Sequence, residues 1–579
     1  MLLGKLQKRF LCTYAAAAAN QSRRQWPTVL QVTKTNFTEA LQQLEDHVHS
    51  SDFISVSLRN TGSYSSSWHR LLPIDTSDTA YFKAKYAADR FQVLQFAVCP
   101  ISVRSSKLIS HPYNFHLFPR DVLNLGMPSY TFSCQPSYLT PMAQEGFDFN
   151  ACIYDGITYL SREQESLSRE KIGNLVPSDY MANSISTPSV ADSIFSERIR
   201  SRVKNWRKAF NDDSCTKKTE VAEALIKSLQ KLMLGSGEYS SRPCLSIDVC
   251  SDRQVQLILE VLGEFNDFVP MIVPAKGGGA QAVRIVLTSS EEDKILFEKE
   301  LQSQEKEQNK HVRGFREVID LISTSEKPII AHNSLNDFSF IYSKFIASLP
   351  PTFDKFKSSL LLNFPYVVDV GHLMKEVRRH LYTTPDMEIS RGGSDGKTLG
   401  LGSNAVRIGE IFAKICSVMK VNPESLGKSK DGGLKSYVNN FDNRRTVSVK
   451  DLVFIWGFKK GTSAQLLKKI LCNSSFSSHD EEAFSDIRLL DKSCAVVAFS
   501  KPGSSECFLK AMHSSGGLLS AASYGTYSKA CQMGMWEVDL ADALDRAVML
   551  DGHDLSGTHL DDPSEIIWDD DLMIDLDDL

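Results

Sequence analysis

The chain contains no run of 18 or more consecutive apolar residues, and its most uniform stretch, Ala15 to Ala19, is far too short to cross a bilayer as a helix. It also lacks any Cys-x-x-Cys pair. Its twelve cysteines are scattered singly and no secretory leader pattern precedes them, which argues against a structural zinc site and for reduced thiols in an intracellular compartment. Asp and Glu are missing from Met1 to Phe37, where Lys5, Lys8, Arg9, Arg23, Arg24 and Lys34 sit among Leu, Ala and Ser. That composition is expected of a cleaved organelle transit peptide covering residues 1–35, mitochondrial first and plastid second. At the other end, Asp551 to Leu579 has eleven acidic residues and no Lys or Arg, interleaved with Ile566-Ile-Trp568 and Leu572-Met-Ile574. Such a segment is expected to be a largely disordered acidic tail, residues 516–579, that solvates the chain or docks a protein partner.

Between these ends the chain has the means to build several cores. Its 579 residues are 42% hydrophobic, enough for two or three domains, and the net charge of −5 averages a basic start with an acidic finish. Phe53 to Leu58, Phe91 to Val98 and Phe115 to Phe118 have the length and branching of strands, preceded by helical spacing from Phe37 to Val48. From about Ser161 to Lys310 the composition turns polar, with a Ser/Thr/Pro-containing stretch at 183–196 and the Gly277 to Gly279 turn. Strand and helix signals resume at Val312, with the Ile329-Ile330 strand, a helix from Asp337 to Leu349, and a strand ending at Asp369. A β-α-β-α order follows from Val447 to Met512. The expected architecture is an α/β sheet in two halves, 36–165 and 311–440, split by an inserted domain at 166–310. An α+β unit of RNA-recognition type at 445–515 then follows.

The motifs themselves are specific. The stretches Phe91-Gln-Val-Leu-Gln-Phe-Ala-Val-Cys-Pro100, His111-Pro-Tyr-Asn-Phe-His-Leu-Phe-Pro119, Phe315-Arg-Glu-Val-Ile-Asp-Leu321 and His332-Asn-Ser-Leu-Asn-Asp337 lie in order along the chain. Over most of residues 36–515 the sequence resembles the poly(A)-specific ribonuclease family, and its plant-type members above all. The resemblance implies a ribonuclease-H-like exonuclease fold of the four-carboxylate (DEDD) class. It also implies Mg²⁺-dependent shortening of poly(A) from the 3′ end, and a homodimer. In such enzymes two divalent ions activate the attacking water and stabilise the leaving oxygen, and carboxylates hold both ions.

Carried over position by position, that set is mostly replaced. The first strand, which in the family carries Asp-x-Glu, reads Ser57-Leu58-Arg59, the last acid is Asn404, the general base is Leu399, and only Asp337 matches. Arg59 places a fixed positive charge where a cation would sit, a repulsion of about 1–4 kcal/mol per unit ion charge at 4 Å. A two-metal site is therefore not expected. Asp52, Asp369 and Glu410 are the nearest substitute acids, but Asp52 is five residues from Ser57 along a strand and Glu410 six residues from Asn404 along a helix. Asp337 alone reads equally as a helix amino-terminal carboxylate.

RNA contacts have weaker signals. Phe454, Trp456 and Phe499 are the candidate base-stacking aromatics of the 445–515 unit, although half the aromatics of such a sheet face its core and no basic-aromatic consensus accompanies them. In the inserted domain the family's Arg and His, four residues apart, correspond to Arg253 and Leu257. Arg198 to Lys208 forms a basic helical stretch whose Ile199, Val203 and Trp206 would pack inward. Three functional readings remain. The first is a non-catalytic relative that binds poly(A) 3′ ends, alone or paired with an active paralogue. The second is a working deadenylase that recruits other acids, and the third is a scaffold acting through its tail. Besides an organelle, the nucleus and cytoplasm of the wider family are alternative locations.

Overall fold

The computed structural model describes residues 27–63, 67–104, 107–120, 131–172, 189–211, 236–239, 241–273, 281–371, 373–374, 401–419, 421–423, 446–473, 484–515, 519–535, 538–551 and 565–568. Most of the leader, Leu399, the turn at 277–279 and the tail segments 552–564 and 569–579 lie outside them.

A seven-stranded mixed sheet joins the two expected halves. It contains β1 (Leu30–Val32), β2 (Phe53–Asn60), β3 (Val93–Arg104), β4 (Lys107–Ser110), β5 (Tyr113–His116), β10 (Ile329–Ala331) and β11 (Val367–Asp369). Its order is β1-β5-β3-β2-β10-β11, with β4 paired to the far end of β3. The antiparallel pair β2–β3 meets the parallel run β2–β10–β11 at β2. That central position explains the buried, branched character of Phe53 to Val56, which lie under cover on both faces. Around the sheet pack α1 (Phe37–Ser50), α2 (Ser77–Arg90), α3 (Pro136–Gln144) and α4 (Phe149–Asp155). Helix α1 buries Ala40, Leu44 and Val48, spaced by four residues as an amphipathic helix requires.

The residues from Thr158 to Glu317 group, with Pro119–Tyr130, into a separate compact unit. It holds α5 (Arg162–Ile172), α6 (Val190–Asn211), β6 (Ser236–Tyr239), β7 (Arg242–Val249), α7 (Asp252–Leu262), β8 (Phe268–Val273), β9 (Gln281–Leu287) and α8 (Glu291–Arg313). Its antiparallel sheet runs β6-β7-β9-β8. Helix α6 buries Ile199, Val203 and Trp206 in that unit's core. Its Arg200 pairs with Glu197 and Glu264, and Arg207 with Asp267 at 2.8 Å. Arg253 is ion-paired to Asp192 at 3.3 Å, and Leu257 is a core residue. Gly314 breaks the helical signal after α8. Its φ is +50°, and a Cβ there would meet the Thr158 carbonyl oxygen at 1.9 Å, so only glycine fits before α9 (Arg316–Thr324).

The sheet resumes with β10 and β11, between which lie α10 (Ser334–Ile341), a π-helical turn (Tyr342–Ile346) and α11 (Phe353–Asn363). Helix α12 (Leu401–Met419) then lies against β2 and β3. Next come β12 (Thr446–Ser448), β13 (Leu452–Trp456), α13 (Ala464–Asn473), β14 (Phe484–Leu489), β15 (Cys494–Phe499), α14 (Ser504–Ser515) and β16 (Ser520–Ser523). Strands β13 to β16 form an antiparallel sheet in the order β14-β15-β13-β16. This β-α-β-β-α-β connectivity has two strands more than the sequence pattern suggested.

Two expectations are overturned here. The segment 516–579 does not behave throughout as an acidic tail, because β16 is followed by α15 (Tyr524–Gln532), α16 (Leu540–Asp551) and β17 (Glu565–Ile567). Leu540, Ala543, Leu544 and Ala547 are fully buried, and β17 pairs antiparallel with β12 while Ile566 and Trp568 bury themselves. The apolar residues of α16 and of Ile566 to Trp568 thus dock on their own chain. The second correction concerns Phe454, Trp456 and Phe499, all of which are buried. Helices α13 and α14 cover one face of their sheet and take Phe499 into the core, while α15, α16 and Trp68 cover the other. Phe454 stacks on Tyr527 at 4.5 Å and Trp456 Nε1 donates to Asp545 at 2.9 Å. None of the three offers a ring face to a base.

Candidate active site

The carboxyl ends of β2, β10 and β11 point the same way, as they must in a parallel run, and the chemistry collects there. Ser57 and Arg59 lie near the end of β2, His332 and Asn333 follow β10, and Asp369 ends β11. Asp337 sits in the first turn of α10.

Helix α12 brings the last position. It approaches β2 and β3 closely because small residues face them: a Cβ on Gly409 would meet Ile101 Cδ1 at 2.1 Å, and Ser55 Oγ donates to the Ala405 carbonyl at 2.8 Å. That seating carries Asn404 to Ser57, whose Oγ accepts from Asn404 Nδ2 at 3.1 Å. The two positions where the resemblance puts carboxylates on opposite elements are in direct contact. Ser57 is buried and Asn404 exposed.

Arg59, two residues along the same face of β2, forms an ion pair with Glu145 at 2.7 Å. Glu145 caps α3, and the start of that helix is stitched to the end of β2. Gln135 N donates to the Thr61 carbonyl at 2.8 Å, and Ser63 N donates to Gln135 Oε1 at 2.9 Å. Gly62 makes this approach possible, since a Cβ there would lie 2.4 Å from Gln135 Oε1. Across the ladder, Arg59 pairs with Gln95, and Gln95 with His116. Gln95 Oε1 and His116 Nδ1 are buried without a hydrogen-bond partner. Phe147 lies over the His116 ring at 6.1 Å, so the short segment from Glu145 to Phe147 straps across this polar row.

Asp337 shows the site's largest ionisation shift. Burial raises its pKa from 3.8, the neighbouring Asp369 adds to the effect, and together they push it up to about 8. Asp337 lies in the first turn of α10, where the macrodipole favours a carboxylate, so burial and Asp369 act against the dipole. Asp369 accepts hydrogen bonds at 2.8 Å from both the backbone N–H and the hydroxyl of Ser334. Gly371 lets this strand end close in, because a Cβ there would sit 2.6 Å from the His332 carbonyl oxygen. The Asp337–Asp369 pair was not legible in any family motif. The available signal was an acid at a strand end two residues before a glycine.

The other acids stay away. Asp52 Oδ2 accepts from Val103 N at 2.6 Å at the opposite end of β2. Glu410 lies by Cys99, which pairs with Ser55 rather than with Ser57. Among the described residues, no group of three or more His, Cys, Asp or Glu side chains is arranged to hold a metal ion. The donor set does not fit a pair of divalent cations either. Ser57 and Asn404 are neutral and bonded to each other, and Arg59 is a cation, which leaves only Asp337 and Asp369 as acids at these strand ends.

Residues 32–431 match the family model described as CAF1 family ribonuclease. The chain is 45% identical to a poly(A)-specific ribonuclease PARN-like protein of Arabidopsis thaliana, an alignment spanning 99% of this chain and all of that protein. It is 27% identical to the poly(A)-specific ribonuclease PARN of the same plant, over 88% of this chain and 86% of the relative. Among solved structures, the Mg²⁺- and Mn²⁺-bound form of S. pombe Pop2p aligns at 11% identity with a TM-score of 0.30, covering 68% of this chain and 93% of Pop2p.

Proposed function

Because the chain belongs to the CAF1 family of ribonucleases, we propose that it serves deadenylation as a non-catalytic member, which engages the 3′ ends of poly(A) RNA without shortening them. The observation that carries this reading is the Asn404–Ser57 hydrogen bond beside the Arg59–Glu145 ion pair. Positions that would present negative oxygens to metal present instead a neutral pair and a cation. Such a protein tunes poly(A) turnover by occupying 3′ ends, by itself or as the silent partner of an active relative. Its RNA contacts belong to the ribonuclease-H-like sheet. The four-stranded sheet of β13 to β16, read as an RNA-recognition-like unit, acts here as structural support, a role favoured by its covered faces.

The test is incubation of the protein with labelled oligo(A) in Mg²⁺ or Mn²⁺, with both binding and shortening measured. Binding without loss of 3′ adenosines is expected. One observation favours a second reading, a working enzyme with a recruited acid: Asp369 stands beside Asp337. That reading requires metal-dependent shortening which both Asp337→Ala and Asp369→Ala abolish, and its appearance would displace the first. An organelle address for the protein rests on the acid-free composition of residues 1–35. Sequencing the mature amino terminus tests it, and an unprocessed Met1 would remove it.

A further inference from the structure

A centre that holds metal ions is built of acceptors, whereas Ser57, Arg59 and Asn404 bring donors to this one. Ser57 Oγ accepts from Asn404, which leaves the hydroxyl proton and the second amide N–H of Asn404 uncommitted by that bond. The Arg59 guanidinium offers five N–H groups, of which the ion pair to Glu145 engages one nitrogen. Next to it on β3, Gln95 Oε1 is an acceptor without a donor, on a side chain 95% buried. Arg59 is therefore joined by donors on one side and an orphaned acceptor on the other. That arrangement suits a group carrying both an anionic oxygen and a hydroxyl.

We propose that the Arg59 guanidinium, with the Asn404 amide held at Ser57 two residues along the same strand face, binds a ribonucleotide phosphodiester directly and without a divalent cation, that a ribose hydroxyl satisfies Gln95 Oε1, and that Glu145 is the intramolecular anion the phosphate displaces. This rests on the reading above, in which the chain binds RNA without cutting it. Arginine suits the task because its planar fork matches phosphate oxygens and its charge is permanent. Glu145 follows a helix end and precedes Gly146, which has a φ of +82° and no atom within 4 Å of where a Cβ would lie, so the strap holding the carboxylate has room to turn aside. A charge exchange of this kind costs less than exposing a naked arginine, since one anion replaces another.

The experiment measures the affinity of the full chain for oligo(A) RNA and oligo(dA) by anisotropy, in Mg²⁺ and in EDTA, for the wild type, Arg59→Ala, Glu145→Gln and Gln95→Leu. Wild-type RNA affinity is expected to change by less than about twofold on chelation, since a fixed cation does the work of a metal. Arg59→Ala weakens binding by about tenfold or more, the scale of one charge-assisted hydrogen bond. Glu145→Gln tightens it by several-fold, and Gln95→Leu narrows the preference for RNA over DNA. The first two variants break the same ion pair, so a merely structural role for that pair predicts effects of the same sign. Opposite signs support the proposal. Binding that needs Mg²⁺, or that neither Arg59→Ala nor Glu145→Gln alters, overturns it while leaving the non-catalytic RNA-binding reading in place. A wild-type chain that binds no RNA in either condition overturns both.

Discussion

A single carboxyl, that of Asp337, makes the stability of the fold depend on pH. Its folded pKa of about 8 lies above the ordinary 3.8. The folded chain keeps a proton that the unfolded chain has released, so stability is fullest below 3.8 and drains as pH rises toward 8. Asp337→Asn removes that dependence. At pH 8 the variant is expected to be more stable than the wild type by about 1 kcal/mol or more, one pKa unit being about 1.4 kcal/mol. Urea unfolding at pH 5 and pH 8 checks this, and parallel losses in both proteins would show that the carboxyl is not held protonated. The complementary change is Ser57→Asp with Arg59→Glu and Asn404→Asp, which places three acids at these positions. Calorimetry should then detect Mg²⁺ binding that the wild type shows at least about tenfold more weakly, since each fixed charge at 4 Å contributes on the order of 1–4 kcal/mol. At this scale the sequence offers a register only where a motif supplies one. Ser57 and Asn404, 347 residues apart, touch. It offers none where no motif exists, as at Asp369, because strand pairing rather than local spacing brings that acid to Asp337.

At the level of elements, the run Leu452-Val-Phe-Ile-Trp456 is apolar at every position, and all five residues are buried. A strand with no polar alternation demands cover on both faces. That was the available signal that Phe454 and Trp456 were core, and that helices had to follow the expected end of the unit at 515. Leu540, Ala543, Leu544 and Ala547 carry the matching helical spacing. Composition hid it, because the acids farther on dominate the segment's average. The docking of β17 depends on one large side chain. Trp568 Nε1 donates to Asp486 at 3.1 Å, and the Arg488 guanidinium lies 4.5 Å from the centre of its ring. Trp568→Ala is expected to cost about 3 kcal/mol. Hydrogen exchange should show lost protection at 446–448, the strand it secures. Unchanged exchange there would mean that the β12–β17 pair holds without its anchor.

Across the molecule, the seven-stranded sheet and the four-stranded sheet are joined through α2 and α15. Lys83 and Asp75 are both almost fully buried and paired at 2.7 Å. Lys83 Nζ also donates to the Arg70 carbonyl at 2.9 Å and lies 2.8 Å from the Tyr527 hydroxyl, which donates to Asp75 at 2.7 Å. Removing one member of such a network strands the other charge. Lys83→Ala is expected to cost about 3–5 kcal/mol and to split a shared melt into two transitions in scanning calorimetry. A single transition shifted as a whole would show that the two sheets are coupled by packing alone. No sequence pattern announces this link, whose members lie up to 452 residues apart.

The same separation governs how the chain is made. Strand β2 obtains its antiparallel neighbour β3 within about fifty residues, but its parallel neighbour β10 only about 275 residues after itself. While the ribosome produces the intervening unit, whose sheet is completed from its own strands, the first half-sheet waits with one edge and an apolar face uncovered. Nascent chains of this protein are therefore natural clients for a holding chaperone. Translational pauses are best tolerated only after α12 has left the ribosome and closed over Phe53 and Ile101.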